Sequence, residues 1–175
     1  DINHRGSTGF GRKFRNSLYP NWGLFDLQDI ESAVRHVIDK GLVDPAKVAI
    51  RGGSAGGYSV MAALSKSSLF AAGVSYYGVS DLEVLTQGTH KFESRYLDQL
   101  IGPYPEARDV YLARSPIYNI DKINSPLMLL QGLEDKVVPS DQAEGIRKKL
   151  KQKGVDVRYI PVSYTHLTLP TKRIV

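Results

Sequence analysis

The sequence predicts an α/β fold built on a mostly parallel sheet flanked by helices, and three observations predict it. Short apolar or alternating runs that read as strands recur at residues 47–51, 71–77, 127–130 and 155–159. Stretches with helical character fall between or before them, at residues 26–40, 55–64 and 140–153; strands that alternate with helices pair in parallel through crossovers. Glycines, a serine and acidic residues gather directly after the strands, at the carboxyl edge where α/β proteins keep their functional groups.

Residues 1–3 read as the tail of a strand, and the glycines that follow, with Lys13 near, superficially suggest a phosphate loop. The GKS or GKT ending is missing and no clean helix follows at once, so residues 4–13 are expected to be a loop. Residues 26–40 form the clearest amphipathic helix, with Leu27, Ile30, Val34, Val37 and Ile38 on one face and Gly41 at its end. His36 is expected on its surface. Asp44-Pro45 turns the chain into the strand at 47–51.

Next comes Arg51-Gly-Gly-Ser-Ala-Gly-Gly-Tyr58, between that strand and a helix-forming run to about Leu64. Strand, glycine-flanked serine and helix make the context of a nucleophile elbow, GxSxG. A serine at such a tip has a strained backbone, and Gly52 and Gly56 are expected to relieve the crowding on either side. Ser54 is therefore the candidate nucleophile. The Ala55 N–H, at the start of the helix, points where an oxyanion would form.

Residues 71–77 are a further buried strand, and Asp81 beyond it is a candidate acid. Between Leu82 and Asn124 the pattern loosens into an irregular insertion with a short helix at 97–101. Leu127-Met-Leu-Leu130, bounded by Pro126 and Gly132, reads as a central parallel strand, with Glu134 and Asp135 directly after it. Ser140 is expected to N-cap a helix that places Ala143, Ile146 and Leu150 inward and stops at Gly154.

Composition narrows the partners. The net charge of +5 comes from scattered basic residues whose one dense cluster, Arg147 to Lys153, reads as a solvated helix face, which argues against nucleic acid. No run reaches membrane-spanning length, so no membrane partner is expected. The chain has no cysteine, which excludes a disulfide scaffold and a thiol nucleophile. No metal or cofactor is expected, because no His, Cys or Asp cluster has ligand spacing.

Several stretches together resemble one family, the catalytic α/β-hydrolase domain of the prolyl oligopeptidase family of serine peptidases. They are Asn3-His-Arg-Gly-Ser-Thr-Gly-Phe-Gly11, Trp22-Gly23 with Asp26, Gly52-Gly-Ser-Ala-Gly-Gly-Tyr58, Thr89-His-Lys-Phe-Glu-Ser-Arg-Tyr96, Ser115-Pro116, and Gln131-Gly-Leu-Glu-Asp-Lys-Val-Val-Pro139. The branch resembled is that of acylaminoacyl peptidases and dipeptidyl-peptidase-like enzymes. The resemblance makes Ser54 the nucleophile, Asp135 the triad acid and the Ala55 N–H one oxyanion donor; Asp81 would be the acid only in a minority of hydrolases. It implies a partial hydrolase domain over residues 1–160, with the early strands, an HGGP-like oxyanion loop and a β-propeller lying upstream of residue 1.

A triad also needs a histidine after the acid. Only His166 follows Asp135, at an interval close to the family's, but its context departs from the family's GHG-type turn. Val162-Ser-Tyr-Thr-His-Leu-Thr-Leu-Pro-Thr171 resembles instead the translation of a transposase-type sequencing-library adapter. His166 is accordingly expected to be a decoy, and residues 161–175 a non-native tail. His4 and His90 are expected in loops. The function implied is a serine-type peptidase acting on short peptide substrates, with this chain an incomplete and inactive fragment; an esterase or a non-catalytic interaction module on the same fold are the alternatives.

Overall fold

The computed structural model describes residues 2–88 and 96–163. Its centre is a four-stranded, all-parallel sheet in the order β1 (Ala49–Gly53), β2 (Ala72–Tyr76), β3 (Leu127–Gly132), β4 (Val157–Val162). The register runs Gly53 against Tyr76, Tyr76 against Leu130, and Gly132 against Val162. Every described strand therefore ends at the same edge. β3 has a partner on both sides, as its continuous apolar run implies.

The helices are α1 (Gly11–Asn16), α2 (Phe25–Asp39), α3 (Ala55–Lys66), α4 (Leu82–Gly88), α5 (Tyr96–Leu100), α6 (Arg108–Arg114) and α7 (Ser140–Lys153). Right-handed crossovers that all step the same way bring their connections to one face of the sheet. Consistent with this, the short 3-10 turn Ile120–Lys122 touches both α3 and α7. α3 is buried nearly all round, through Tyr58, Val60, Met61, Ala62, Ala63 and Leu64. It lies so close to β2 that a Cβ on Gly73 would come within 2.8 Å of Leu64 and 2.9 Å of Val60.

Several local expectations need adjustment. A short helix, α1, does form after the glycine-rich loop, but none of its residues is buried. Ser140 is the first residue of α7 rather than its cap, a place taken by Pro139 without a side-chain bond; Asp141 complements the helix dipole in that first turn instead. Gly154 ends α7 in the left-handed region, at φ 85°, and lets the Val155 N–H reach the Leu150 carbonyl at 3.0 Å. The stretch after Leu82 is more helical than its prolines suggest, because α6 packs Tyr111 into the core. Finally, β4 runs through Val162, so the boundary expected at 160 falls inside a strand.

Candidate active site

Two turns leave the carboxyl edge of the sheet, one carrying Ser54 and the other Asp135. Ser54 has φ 54° and ψ −119°, a region that costs a non-glycine residue about 1–3 kcal/mol. Its N–H donates to the Tyr76 carbonyl at 3.0 Å, and its carbonyl accepts the Tyr58 N–H at 3.0 Å, which opens α3. The one other described non-glycine residue with positive φ is Tyr77, at 39°, on the neighbouring strand end beside it.

The glycines around Ser54 do different work from one another. A Cβ on Gly52 would stand 2.5 Å from the Gly56 carbonyl oxygen and 2.6 Å from its carbon, so only glycine lets the turn close. A Cβ on Gly56 would meet nothing within 4 Å, contrary to the expectation that both relieve crowding. The second close approach is Gly57 against Gly78, where an added Cβ would come 2.6 Å from backbone. Ser54 and Ala55 are both exposed. As the first residue of α3, Ala55 has an N–H with no helical acceptor.

Asp135 is held without strain. Its Oδ1 accepts the N–H groups of Val137 at 2.9 Å and Val138 at 3.0 Å, and its own N–H donates to Gly132 O at 3.3 Å. Among the described residues its Oδ2 has no partner, leaving that oxygen open to a further donor. Gln131, fully buried, ties the loop shut by donating from Nε2 to Val138 O at 2.8 Å and to Gly132 O at 3.1 Å. Glu134, beside Asp135 in the chain, is exposed. With β2 between them, the two strand ends lie about 10 Å apart, twice the interstrand spacing.

Asp81 is occupied otherwise. Its Oδ1 accepts the N–H groups of Glu83 and Val84, capping α4, and its Oδ2 accepts the Tyr118 hydroxyl at 3.0 Å. A carboxylate so engaged is a helix cap. His36 is exposed on α2. His90 and His166 lie outside the described residues.

A cavity of about 290 Å³ opens at Ser54, Ala55 and Gly56, and its walls include Leu18, Trp22, Val79, Leu97, Leu100, Val137 and Val138. Asp135 does not line it, but the loop it organises does, through Val137 and Val138. Four polar residues line it that sequence reasoning did not assign to the site, His4, Asp26, Ser59 and Tyr96. His4, Asp26 and Tyr96 sit in stretches quoted above for the family resemblance, yet no spacing ties them to Ser54. Arg5 anchors the His4 loop to α2 by a bidentate pair with Asp29, closest at 2.8 Å, and by its backbone N–H at 2.7 Å. Burial pushes the Asp29 carboxyl up, but the hydrogen bonds from Arg5 outweigh it and hold the group below its usual value.

Asp26 has the opposite balance. It is 1% exposed, and burial pushes its carboxyl up against the Gly23 N–H, which donates to Oδ1 at 2.7 Å. Around it Trp22 packs against Tyr58, the rings tilted by 45° with centroids 4.5 Å apart. Lys66 Nζ donates to Gly23 O at 2.6 Å, and Arg114 donates to Pro20 O and Trp22 O at 2.8 Å each. Burial lowers both cations.

Comparison with known proteins agrees with this arrangement. The model of the prolyl oligopeptidase family matches residues 1–164. The chain belongs to the prolyl oligopeptidase family. Among its relatives, the Caenorhabditis elegans dipeptidyl peptidase family member 6 is 32% identical over 166 residues, 91% of this chain and 22% of that protein. A puromycin-hydrolyzing peptidase of Mycobacterium tuberculosis superposes with a TM-score of 0.90 at 44% identity, covering 93% of this chain and 25% of the other. An acylaminoacyl peptidase solved with Z-Gly-Gly-Phe-chloromethyl ketone gives 0.83 at 30% identity, covering 91% and 26%. The chain thus spans about a quarter of the length of these relatives, and the sheet described above is part of an α/β-hydrolase fold. No helix among the described residues is long and apolar enough to cross a membrane.

Proposed function

We propose that this chain carries the nucleophile and the acid of a serine-type peptidase that hydrolyses short peptides through an acyl-enzyme. The observation that carries this reading is Ser54 at φ 54°, exposed at a cavity mouth beside the unpaired Ala55 N–H. In this mechanism Ser54 Oγ attacks the scissile carbonyl and a histidine takes its proton. The Ala55 N–H donates to the oxyanion, and the histidine then protonates the leaving amine. Water repeats the sequence on the ester and releases the acid. Asp135 orients the histidine through Oδ2, because its Oδ1 is already filled by two backbone N–H groups. Peptide binding by the acylaminoacyl peptidase solved with a peptidyl chloromethyl ketone supports a peptide substrate here.

The general base in this reading is a histidine outside residues 1–163, and His166 does not take its part. Its sequence context, Ser163-Tyr-Thr-His-Leu-Thr-Leu-Pro-Thr171, supports that choice. Without an activating imidazole the serine is a neutral hydroxyl, and loss of one triad member removes several orders of magnitude in rate. The 175-residue chain alone is therefore expected to turn over chromogenic peptides and esters at background rates.

The test uses the gene restored to the length of its relatives. A fluorophosphonate is expected to label Ser54, and Ser54→Ala to abolish both labelling and hydrolysis of aminoacyl anilides. Preference for p-nitrophenyl esters over anilides would make the enzyme an esterase, and absence of labelling would leave a non-catalytic binding module. Turnover by the 175-residue chain itself that Ser54→Ala abolishes would overturn the assignment of the base.

A further inference from the structure

Ser54 and Tyr77 stand side by side at the ends of β1 and β2, and they are the two described non-glycine residues whose φ is positive. The strained Ser54 turn presents a nucleophile. Tyr77, at φ 39°, presents nothing to the cavity, and glycine would make the same bend without strain. The bend itself is required, because the next residue, Gly78, is pressed so close to α3 that an added Cβ would stand 2.6 Å from the Gly57 carbonyl carbon. A strained position that keeps a large side chain points to a task for that side chain.

The Tyr77 ring lies against Gly53, the residue before Ser54. A Cβ on Gly53 would meet Tyr77 Oη at 2.9 Å, Cζ at 3.1 Å and Cε2 at 3.4 Å, so the phenol occupies the space that a side chain there would take. Gly52 turns toward α3, where its Cβ would strike Gly56, and alternation along β1 therefore puts Gly53 and the ring on the opposite face of the sheet. Residues 52–57 carry no side chain larger than that of serine. On the α3 side the elbow is held by backbone against backbone; on the other side it leans on this ring. The Tyr76–Tyr77 peptide also joins the two halves of the site. Its carbonyl accepts the Ser54 N–H at 3.0 Å, and its N–H donates at 2.8 Å to the carbonyl of Leu130, on the strand that leads to Asp135.

We propose that Tyr77 is a positioning residue for Ser54: its ring, set against Gly53 by the peptide that bonds both strands of the site, keeps the elbow from relaxing away from α3 and so fixes the direction of Ser54 Oγ. Gly53 has no Cβ to resist rotation of the peptide that leads into Ser54, and the ring supplies that resistance from outside. The ring carbons suffice for the contact, so the hydroxyl is dispensable. Attack on a carbonyl is sensitive to such control, since a misplacement of about 1 Å costs about a hundredfold in rate. This inference rests on the reading of Ser54 as the nucleophile and adds a residue that acts through it.

The experiment uses the gene restored to the length of its relatives and follows the rate of Ser54 labelling by a fluorophosphonate together with hydrolysis of an aminoacyl anilide. Tyr77→Ala and Tyr77→Gly are each expected to slow labelling about a hundredfold and to lower kcat by a similar factor, with KM held within about threefold. Tyr77→Phe keeps the ring and is expected to restore the rate to within about threefold. The glycine variant separates positioning from stability. It relieves the positive φ, so in urea unfolding of the 175-residue chain its midpoint should lie above that of Tyr77→Ala, while in the restored enzyme it should be no faster. Gly53→Ala approaches the contact from its other side. Its methyl meets the ring and should slow labelling about tenfold, whereas in the Tyr77→Ala background the same methyl refills the space and should speed it. Labelling indifferent to Tyr77→Ala overturns the proposal, as does a rate in Tyr77→Gly that recovers with its stability, a rise in KM at unchanged kcat, or a Gly53→Ala effect of one sign in both backgrounds. Absence of Ser54 labelling in the unsubstituted enzyme would sink the peptidase reading itself, and the positioning role with it.

Discussion

The turn after β1 and the turn after β3 present one functional side chain each at the same sheet edge, and they do it by opposite means. The Ser54 turn is built by exclusion: a positive φ on a serine, and a backbone approach that only Gly52 permits. The Asp135 loop is built by attraction, with backbone N–H groups wound around Oδ1 and the Gln131 amide closing the loop on Val138. The first stores strain and holds the nucleophile's direction sterically. The second stores none and depends on a few hydrogen bonds. Steric exclusion tolerates almost no substitution at its contact point, while a hydrogen-bonded loop weakens step by step.

Substitutions that add or remove single groups separate the two designs. The largest effect is expected from Gly52→Ala, which drives a methyl into the Gly56 backbone and should cost about 3 kcal/mol in urea unfolding. Gly56→Ala is the matched control: with open space at that position, and a better helix former in the first turn of α3, it should be neutral or stabilise by up to about 1 kcal/mol. Equal losses at the two positions would mean that the turn is not closed by Gly52 alone. In the other turn, Gln131→Ala leaves the buried Val138 carbonyl without its donor and opens a small hole. A loss of about 2 kcal/mol is expected, with hydrogen exchange at Val137 and Val138 accelerated more than at Tyr58. Releasing the strain itself should give a gain. Ser54→Gly removes the strained φ and should raise stability by about 1 kcal/mol, whereas no single substitution in the Asp135 loop has strain to release.

Much of this was legible in the chain. The elbow announces itself because its steric demand falls on residues adjacent in sequence, and the strands announce themselves by apolar runs bounded by glycine and proline. Asp135 was legible by context, directly after a central strand. Asp81 had a similar claim on position alone, and what separates them is where their oxygens go: to the first turn of α4 and to Tyr118, remote in sequence. Gly56 looked like a second steric requirement because GxSxG is symmetric on paper, although at its place in the first turn of α3 an added Cβ meets nothing within 4 Å.

The sequence by itself determined the four strands and the longer helices, their parallel alternation, the strained serine and the family, since each follows from periodicity or from contacts between near neighbours along the chain. Only the tertiary structure decided which polar groups share a space. Trp22 and Asp26 reach the Ser54 cavity because α2 packs on α3, His4 because Arg5 clamps its loop to Asp29, and Val137 because Gln131 folds its loop back. The physical reason is that burial is a property of three-dimensional packing. A carboxylate such as Asp26 looks ordinary in the chain, and becomes a buried neighbour of the Ser54 cavity only when the fold packs α2 on α3.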